Sequence, residues 1–318
     1  MKNNLDNNLE EKNLNKKLKK MKRKSILKIT FISILISIIV LTIGIFSNIY
    51  INIKESKKSQ EIEDTLVSLN IPNGYISKAS YNFGVLGGNA NYKISKEIGP
   101  KSVVLREYRK QYGLLPIPGS MHYYGGVRAV RDDEEIASEF WDTGYRKMIF
   151  YHPEIDYKIY KNDLEILDDI PEGKTIEMGI SFDKEYDMND ITIMFPEVNI
   201  SWIWLDLFTN EYMEEMQYGA QNYDANAVYI RENEVLGVSF HRVDIGASRV
   251  LSHRVKELFE TLKSSPMDEH KQIYDKYNDE EEPKMLGAIV YGTKDELIKL
   301  KDNPHVKATS IGVVEDIY

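Results

Sequence analysis

The longest apolar run of the chain lies near its N-terminus. Residues 29–51 (ITFISILISIIVLTIGIFSNIYI) contain no charged residue and no proline, and 15 of these 23 positions are Ile, Leu, Val or Phe. As a helix rising about 1.5 Å per residue, the run extends about 34 Å, enough to cross a hydrocarbon layer about 30 Å thick. It also exceeds the apolar core of a signal peptide and lacks a small-x-small cleavage site. The pattern predicts an uncleaved transmembrane helix within residues 25–53.

A polar segment and a turn-rich region follow the apolar run. Residues 54–65 (KESKKSQEIEDT) are polar and charged, which predicts an exposed juxtamembrane stalk. Residues 66–170 contain several Gly- and Pro-rich turns. Within them the pattern predicts a strand at 102–112 and a helix passing into a strand at 132–151. We therefore expect a first folded unit of mixed structure between the stalk and residue 170.

The clearest alternation of apolar and polar positions lies in residues 171–318, which open with Pro-Glu-Gly. Period-2 and β-rich runs predict strands, and 3.6-residue periodicity with capping signals predicts helices. The strands are expected at 175–182, 199–208, 285–291 and 307–314, a hairpin at 228–231 and 235–242, helices at 187–196, 248–262 and 294–300, and a loop at 275–282. Sheet and helices in this order predict an α+β fold, a mixed sheet-and-helix domain after the single N-terminal transmembrane helix.

Charge divides the chain at the apolar run. Residues 1–24 carry eight Lys, one Arg and three acidic residues, a net of +6, whereas residues 54–318 hold 31 basic and 47 acidic residues, a net of −16. The excess of Lys and Arg before the helix predicts a cytoplasmic N-terminus and an extracytoplasmic C-terminal part at the plasma membrane. The acidic bulk repels phosphates, so we expect no direct nucleic-acid binding.

Residue types that carry catalysis or bind metals are scarce or wrongly spaced. The chain has no Cys, which excludes disulfides, thiolate zinc sites and thiol nucleophiles. Its six His form no H-x-x-x-H arrangement, and no G-x-S-x-G elbow occurs. The acidic runs at 132–135 and 279–282 lack the turn-forming glycine of a calcium loop. The sequence therefore predicts no catalytic residue, no cofactor site and no metal site, and a protein that is not an enzyme.

The basic tail contains spaced apolar residues. Leu5, Leu9, Leu14, Leu18 and Met21 follow one another at intervals of 4, 5, 4 and 3. On a helix these residues form a rough apolar stripe, while the other faces carry Lys and Asn. We predict that this stripe binds a partner. An interfacial helix on anionic lipids has the same pattern. A disordered basic segment that only fixes the topology is a third interpretation, and spacing leaves all three open.

Several stretches together resemble one family. They are 83–88 (FGVLGG) with the preceding basic residues and membrane helix, 178–187 (MGISFDKEYD), 195–206 (FPEVNISWIWLD), 292–297 (GTKDEL) and 306–314 (VKATSIGVV). This combination resembles the bacterial transmembrane sigma-factor regulators, or anti-sigma factors, in the N-terminal membrane region and in the C-terminal extracytoplasmic domain.

The resemblance implies a membrane protein that holds an extracytoplasmic-function sigma factor at the inner face and releases it when the outer domain reports an envelope condition. The absence of Cys excludes a zinc-switched version. Release by conformational change and release by proteolytic cutting near the stalk are both compatible with the sequence. Two other functions remain open: an envelope ligand-binding module with an inert tail, and an ectoenzyme. A second membrane protein as a partner is also open, and the sequence does not identify one.

Overall fold

A computed structural model describes residues 2–115, 128–129, 138–223, 228–240, 247–278 and 282–317, without the side chains of 2–13, 128–129 and 247–249. Its first element is one uninterrupted helix, α1 (Lys2–Asn70), which contains the basic tail and the whole apolar run. The helix does not end at the membrane boundary. Residues 54–65, expected to form an exposed stalk, are helical, and Ser56, Ser59 and Glu63 on one face are buried. One face of the expected stalk is therefore buried: Ser59 and Glu63 have polar partners on a sheet, and the Ser56 hydroxyl donates to the carbonyl of Ile53 within α1.

The first sheet is an antiparallel meander of three strands, β1 (Gly74–Phe83), β2 (Gly87–Ile98) and β3 (Lys101–Gly113). The strand predicted at 102–112 is therefore confirmed. Helix α1 packs against this sheet, and their shared core contains Val67, Tyr92 and Leu105. Because the chain reverses after α1, strand β1 runs back along the helix. The β1–β2 turn therefore lies beside the end of the apolar run.

The second sheet has five antiparallel strands: β7 (Lys174–Tyr186), β8 (Asn199–Leu205), β10 (Gly237–Ser239), β11 (Met285–Gly292) and β12 (Val306–Asp316). Their order across the sheet is β10-β8-β11-β7-β12. The helices are α2 (Ile191–Met194), α3 (Asn210–Asn222), α4 (Ala247–Ser264), α5 (Asp268–Tyr277) and α6 (Lys294–Leu297). The α+β class, the predicted strands within β7, β11 and β12, and the helix within α4 are confirmed, and the strand predicted at 199–208 is confirmed over residues 199–205.

Local capping chemistry accounts for one helix start and fails at another. Thr293 and Glu296 form the capping box expected from the sequence, each side chain bonding the backbone of the other, and α6 begins there. Asp187 precedes the short 3₁₀ and α turns at 188–194, as predicted, but its carboxylate makes no cap bond. It lies 2.6 Å from the ammonium of Lys284 instead.

Three local predictions were wrong. Strand β9 (Ile230–Arg231) does not pair with β10 in a hairpin; it pairs with β6 (Ile149–Phe150), while β10 pairs with β8. Residues 140–148 form turns and bridges rather than the predicted helix, and residues 132–137 lie outside the described chain. The loop predicted from residue 275 overlaps α5, and helix α3 was not expected.

Short elements connect the two sheets. Strand β4 (Arg128–Ala129) pairs with β5 (Ser138–Glu139), and a 3₁₀ helix spans Asp163–Asp169. Leu164 and Leu167 of that 3₁₀ helix belong to the core of the second sheet, together with Leu69 at the end of α1. The predicted boundary after residue 170 therefore does not coincide with a gap between cores.

Candidate functional site

The basic tail is helical and exposed wherever its side chains are described. Leu14, Leu18 and Met21 are all exposed and, at spacings of four and three, share one face of α1. Each residue turns a helix by about 100°, so the step of five between positions 9 and 14 moves about 140° beyond a full turn. The three later positions therefore form a face that positions 5 and 9 do not continue. Partner binding by Leu5, Leu9, Leu14, Leu18 and Met21 stays a prediction.

The apolar run forms the only helical segment, among the described residues, that is long and apolar enough to cross a membrane. Its side chains are exposed except those of Asn48 and Ile51, which are half-buried. Because α1 continues without a break to Asn70, the same rigid element carries the tail, the apolar run and the part packed on the first sheet.

The contact between α1 and the first sheet is largely polar. The hydroxyls of Ser59 and Tyr92 lie 2.9 Å apart in a buried position. The carboxylate of Glu63, almost completely buried, accepts from the Tyr108 hydroxyl and from the Lys110 ammonium. Burial raises the pKa of Tyr92 and of Tyr108, so both hydroxyls stay protonated at neutral pH and able to donate.

Two asparagines form the end of this contact that is nearest to the apolar run. Asn52 is fully buried, and its amide nitrogen donates to the backbone carbonyl of Gly84 (3.1 Å). Asn48 donates to the same carbonyl (2.9 Å), and its Oδ1 accepts from the backbone N–H of Leu86 (2.6 Å). The β1–β2 turn is thus held directly on the helix that carries the apolar run.

A buried ionic cluster joins the two sheets. The ammonium of Lys96, on β2, lies 2.7 Å from Glu177 Oε1 on β7 and 2.5 Å from Glu232 Oε1 after β9, and all three side chains are essentially without exposure. Backbone N–H groups of Met148 and Val313 donate to the second oxygens of Glu232 (3.0 Å) and Glu177 (3.3 Å). One cation on the first sheet therefore holds two carboxylates, one from β7 and one from the turn after β9.

The cluster has one more carboxylate than ammonium. Burial raises the pKa of Glu177, and the neighbouring Glu232 raises it further, while Lys96 lowers it. The two carboxylates in turn raise the pKa of Lys96 against the opposing effect of its burial. A buried charge without its partner is costly, so the relative position of the two sheets depends on this cluster staying intact.

A groove of about 420 Å³ lies between the end of α1, the first sheet and a wall that contains Trp141, Lys147 and Asn233. Its cations already have partners within the chain. Arg106 lies over the ring of Tyr108 (4.5 Å), Lys147 lies over Trp141 (4.8 Å), and Lys110 pairs with Glu63. Of these contacts, the Lys110–Glu63 pair joins α1 to the first sheet across the groove.

The described histidines form no catalytic or metal-binding arrangement. His152 Nε2 lies 3.5 Å from Asp206, and Ser265 Oγ lies 2.7 Å from His270 Nδ1, but these two pairs are separate. The Ser265 hydroxyl also accepts from the N–H of Met267, an ordinary turn at the start of α5. Within the described residues no three His, Cys, Asp or Glu side chains converge as metal ligands. His122, His241, residues 132–135 and residues 279–281 lie outside the described chain.

Sequence reasoning missed the ionic cluster and the asparagine contacts. The members of the cluster are far apart in sequence, and each lies in a stretch where charge ordinarily indicates exposure. A signal for the docked helix was available: Asn52, Ser56, Ser59 and Glu63 recur every three or four residues. Such spacing marks one helix face even when its side chains are polar.

Two family descriptions match separate parts of the chain. "Sigma factor regulator N-terminal" matches residues 15–103, from the tail through the apolar run into the first sheet. "Sigma factor regulator C-terminal" matches residues 167–313, which contain the five-stranded sheet. Together the two matches cover about three quarters of the chain. No curated protein and no solved structure matches the sequence. The chain therefore belongs to the sigma factor regulator family, regulatory proteins whose partner is a sigma factor.

Proposed function

We propose that this chain is a single-pass plasma-membrane anti-sigma factor. In this proposal the basic tail lies in the cytoplasm and holds an extracytoplasmic-function sigma factor, and the two sheets lie outside and respond to an envelope condition. Support for this direction comes from the charge difference across the apolar run, +6 before it and −16 after it. The family match supplies the class of partner.

The observation that carries the proposal is the continuity of α1. One helix includes the tail, the apolar run and the face packed on the first sheet. A change in the outer domain that favours one position of that helix therefore also biases the tail. Residues 54–70 are helical and packed on the sheet instead of forming an open stalk. This arrangement favours conformational transmission over cutting within a stalk.

The proposed face for the sigma factor is formed by Leu14, Leu18 and Met21. These apolar side chains are exposed on a helix otherwise rich in Lys. Burying one such side chain in a partner's groove stabilises a complex by about 1.5–3 kcal/mol, so losing all three weakens binding far more than ten-fold.

Co-purification of a sigma factor with the full chain, isolated from membranes, tests the tail. The triple variant Leu14→Ser, Leu18→Ser, Met21→Ser is expected to lose the sigma factor identified by mass spectrometry. The matched control Lys16→Arg, Lys19→Arg, Arg23→Lys alters the opposite face without changing its charge and is expected to keep it. Equal recovery by both variants contradicts tail binding and supports the inert-tail module instead.

Orientation is tested separately because the chain has no native cysteine. A membrane-impermeant maleimide added to intact cells is expected to label Ile193→Cys, an exposed site in the second unit, and to leave Lys17→Cys unlabelled until the cells are opened. The reverse pattern overturns the proposed direction, whatever the co-purification shows.

A further inference from the structure

One edge of the first sheet exposes large apolar side chains. Phe83, the last residue of β1, and Val85, in the β1–β2 turn, are 52% and 70% exposed, and Leu114 and Leu115, just after β3, are 61% and 57% exposed. The N–H of Leu114 donates to the carbonyl of Leu86 (2.8 Å), which joins the two segments. Clustered exposed apolar groups on a folded domain indicate an interaction surface. Residues 83–86 and 114–115 are called the apolar edge below.

The apolar edge lies at the level of the end of the transmembrane run. Gly84 and Leu86 are hydrogen-bonded to Asn48 and Asn52 of α1. Asn48 precedes Ile51, the last residue of the apolar run, by three positions, or about 4.5 Å along a helix. The contacts therefore fix the depth of the edge at the boundary between hydrocarbon and headgroups.

The backbone of the turn is held on α1 in a conformation that L-residues rarely adopt. Leu86 adopts a positive φ of 56°, a conformation that glycine takes without penalty and that costs a leucine about 1 kcal/mol or more. The Asn48 side chain holds its N–H in place (2.6 Å). Next to it, Gly113 (φ +108°) lets the end of β3 approach, since a Cβ there would lie 2.3 Å from the Cα of Gly87. The Leu86 side chain is itself half-buried, and the strained turn that it forms exposes Val85 beside it.

We propose that the apolar edge inserts into the interfacial layer of the same bilayer that α1 spans, as a second, lipid-facing attachment of the first sheet. The lipid is the occupant that the geometry selects, because the edge is fixed to the membrane helix at the depth where acyl chains meet headgroups. The proposal requires the membrane helix but not a particular direction across the membrane. With two attachments the sheet cannot tilt freely, and an axial shift of α1 changes how deeply the edge is immersed.

Single-cysteine labelling of the full chain in phospholipid vesicles tests the insertion, since no native cysteine interferes. An environment-sensitive fluorophore is attached to Val85→Cys and, independently, to Leu115→Cys. The matched control is Ile193→Cys, an equally apolar and exposed site (77%) on α2. Helix α2 packs in the same core as Leu69, which lies 18 residues, about 27 Å of helix, beyond the apolar run.

Quenching by lipids that carry a nitroxide near the headgroup is measured beside quenching by aqueous iodide. At positions 85 and 115 we expect several-fold stronger lipid quenching and several-fold weaker iodide quenching than at position 193. Equal iodide quenching at all three sites, without lipid quenching, overturns the proposal. Protection of positions 85 and 115 from iodide without lipid quenching also overturns it, because the edge is then covered by protein.

Discussion

The chain packs a helix on a sheet in two chemically different ways. Helix α4 packs on the five-stranded sheet through aliphatic side chains: Leu251, Val255, Leu258 and Leu262 are all buried in its core. Helix α1 instead meets the three-stranded sheet mainly through Ser59, Glu63 and the two asparagines, each with a specific polar partner, and buries one aliphatic residue, Val67, at its end. The first contact excludes water, and the second matches individual donors with individual acceptors.

The difference concerns what happens when a helix moves. Apolar burial is non-directional, so a small sliding of α4 changes its stabilisation gradually. Hydrogen bonds depend on distance and angle, and an unpaired buried polar group costs about 1–3 kcal/mol. A shift of α1 by one residue would break several such bonds together. The polar contact therefore has discrete positions, which suits a helix that transmits a signal, whereas the aliphatic contact suits a scaffold.

The largest effect is expected where the two regions meet, at Lys96. Replacing it by Met leaves Glu177 and Glu232 buried without a cation, and removing one partner of a buried pair costs about 3–5 kcal/mol. Urea unfolding of the full chain in detergent measures the free energy. Lys93→Met, on the same strand with its half-exposed pair to Glu107, is the control and should change it by less than about 1 kcal/mol. Similar losses for both variants would show that the cluster does not hold the sheets together.

Truncation of the aliphatic contact should come next. Leu262 is completely buried, and Leu262→Ala is expected to lower the free energy of unfolding by about 2–5 kcal/mol through lost burial and a cavity. Hydrogen exchange should accelerate across α4 and the second sheet but not at Leu86, if the two contacts are independent. Exposed Lys256→Ala on the same helix is the control. Faster exchange at Leu86 in Leu262→Ala would mean that both contacts form one cooperative unit.

Elements with local signals could be predicted from the sequence, and contacts between distant residues could not. Ile176, Met178, Ile180 and Phe182 alternate within one strand, so β7 was predictable. The apolar run was predictable because its signal is also local: 23 consecutive positions carry no charge. Strand β9 was misassigned because its sequence looks like half of a hairpin, while its actual partner, β6, lies about 80 residues earlier.

Within the candidate site, the tail and the apolar run could be located but the transmission contact could not. Residues 54–65 look solvated because charge and Ser dominate them, and the tyrosine hydroxyls that satisfy Ser59 and Glu63 lie on strands formed by later residues. The Lys96 cluster is still harder to predict from the sequence, because the partners of Lys96 are Glu177 and Glu232, which are distant along the chain. Buried charge is identifiable only when its counter-charge has been placed beside it.

A smaller, local effect is expected at Asn48. Asn48→Ala leaves the Leu86 N–H without its acceptor, at a cost of about 1–3 kcal/mol. Hydrogen exchange at Leu86 should accelerate by one to two orders of magnitude, on the order expected from that energy, with global unfolding almost unchanged. Exposed Ser47→Ala, one residue earlier on α1, is the control. Unchanged exchange at Leu86 would show that the turn holds its position without the helix.

The smallest effect on the free energy of unfolding at pH 7 is expected for Glu177→Gln. This variant tests whether the second carboxylate of the Lys96 cluster carries an unbalanced charge. The variant leaves one carboxylate for one ammonium, so at pH 7 its free energy of unfolding should lie within about 1 kcal/mol of the native value.

Because burial and Glu232 raise the pKa of Glu177 above its ordinary 4.5, the folded chain retains that proton to a higher pH than the unfolded chain. The stability contributed by that proton is complete below about pH 4.5 and is lost as the pH rises through the folded-state pKa. The native free energy of unfolding minus that of the variant should therefore fall as the pH rises across that window, with exposed Glu97→Gln measured beside it as the control for a surface carboxamide. A pH-independent difference would mean that Lys96 balances Glu177 fully, and the cluster would then be a permanent clamp instead of a contact that protonation strengthens.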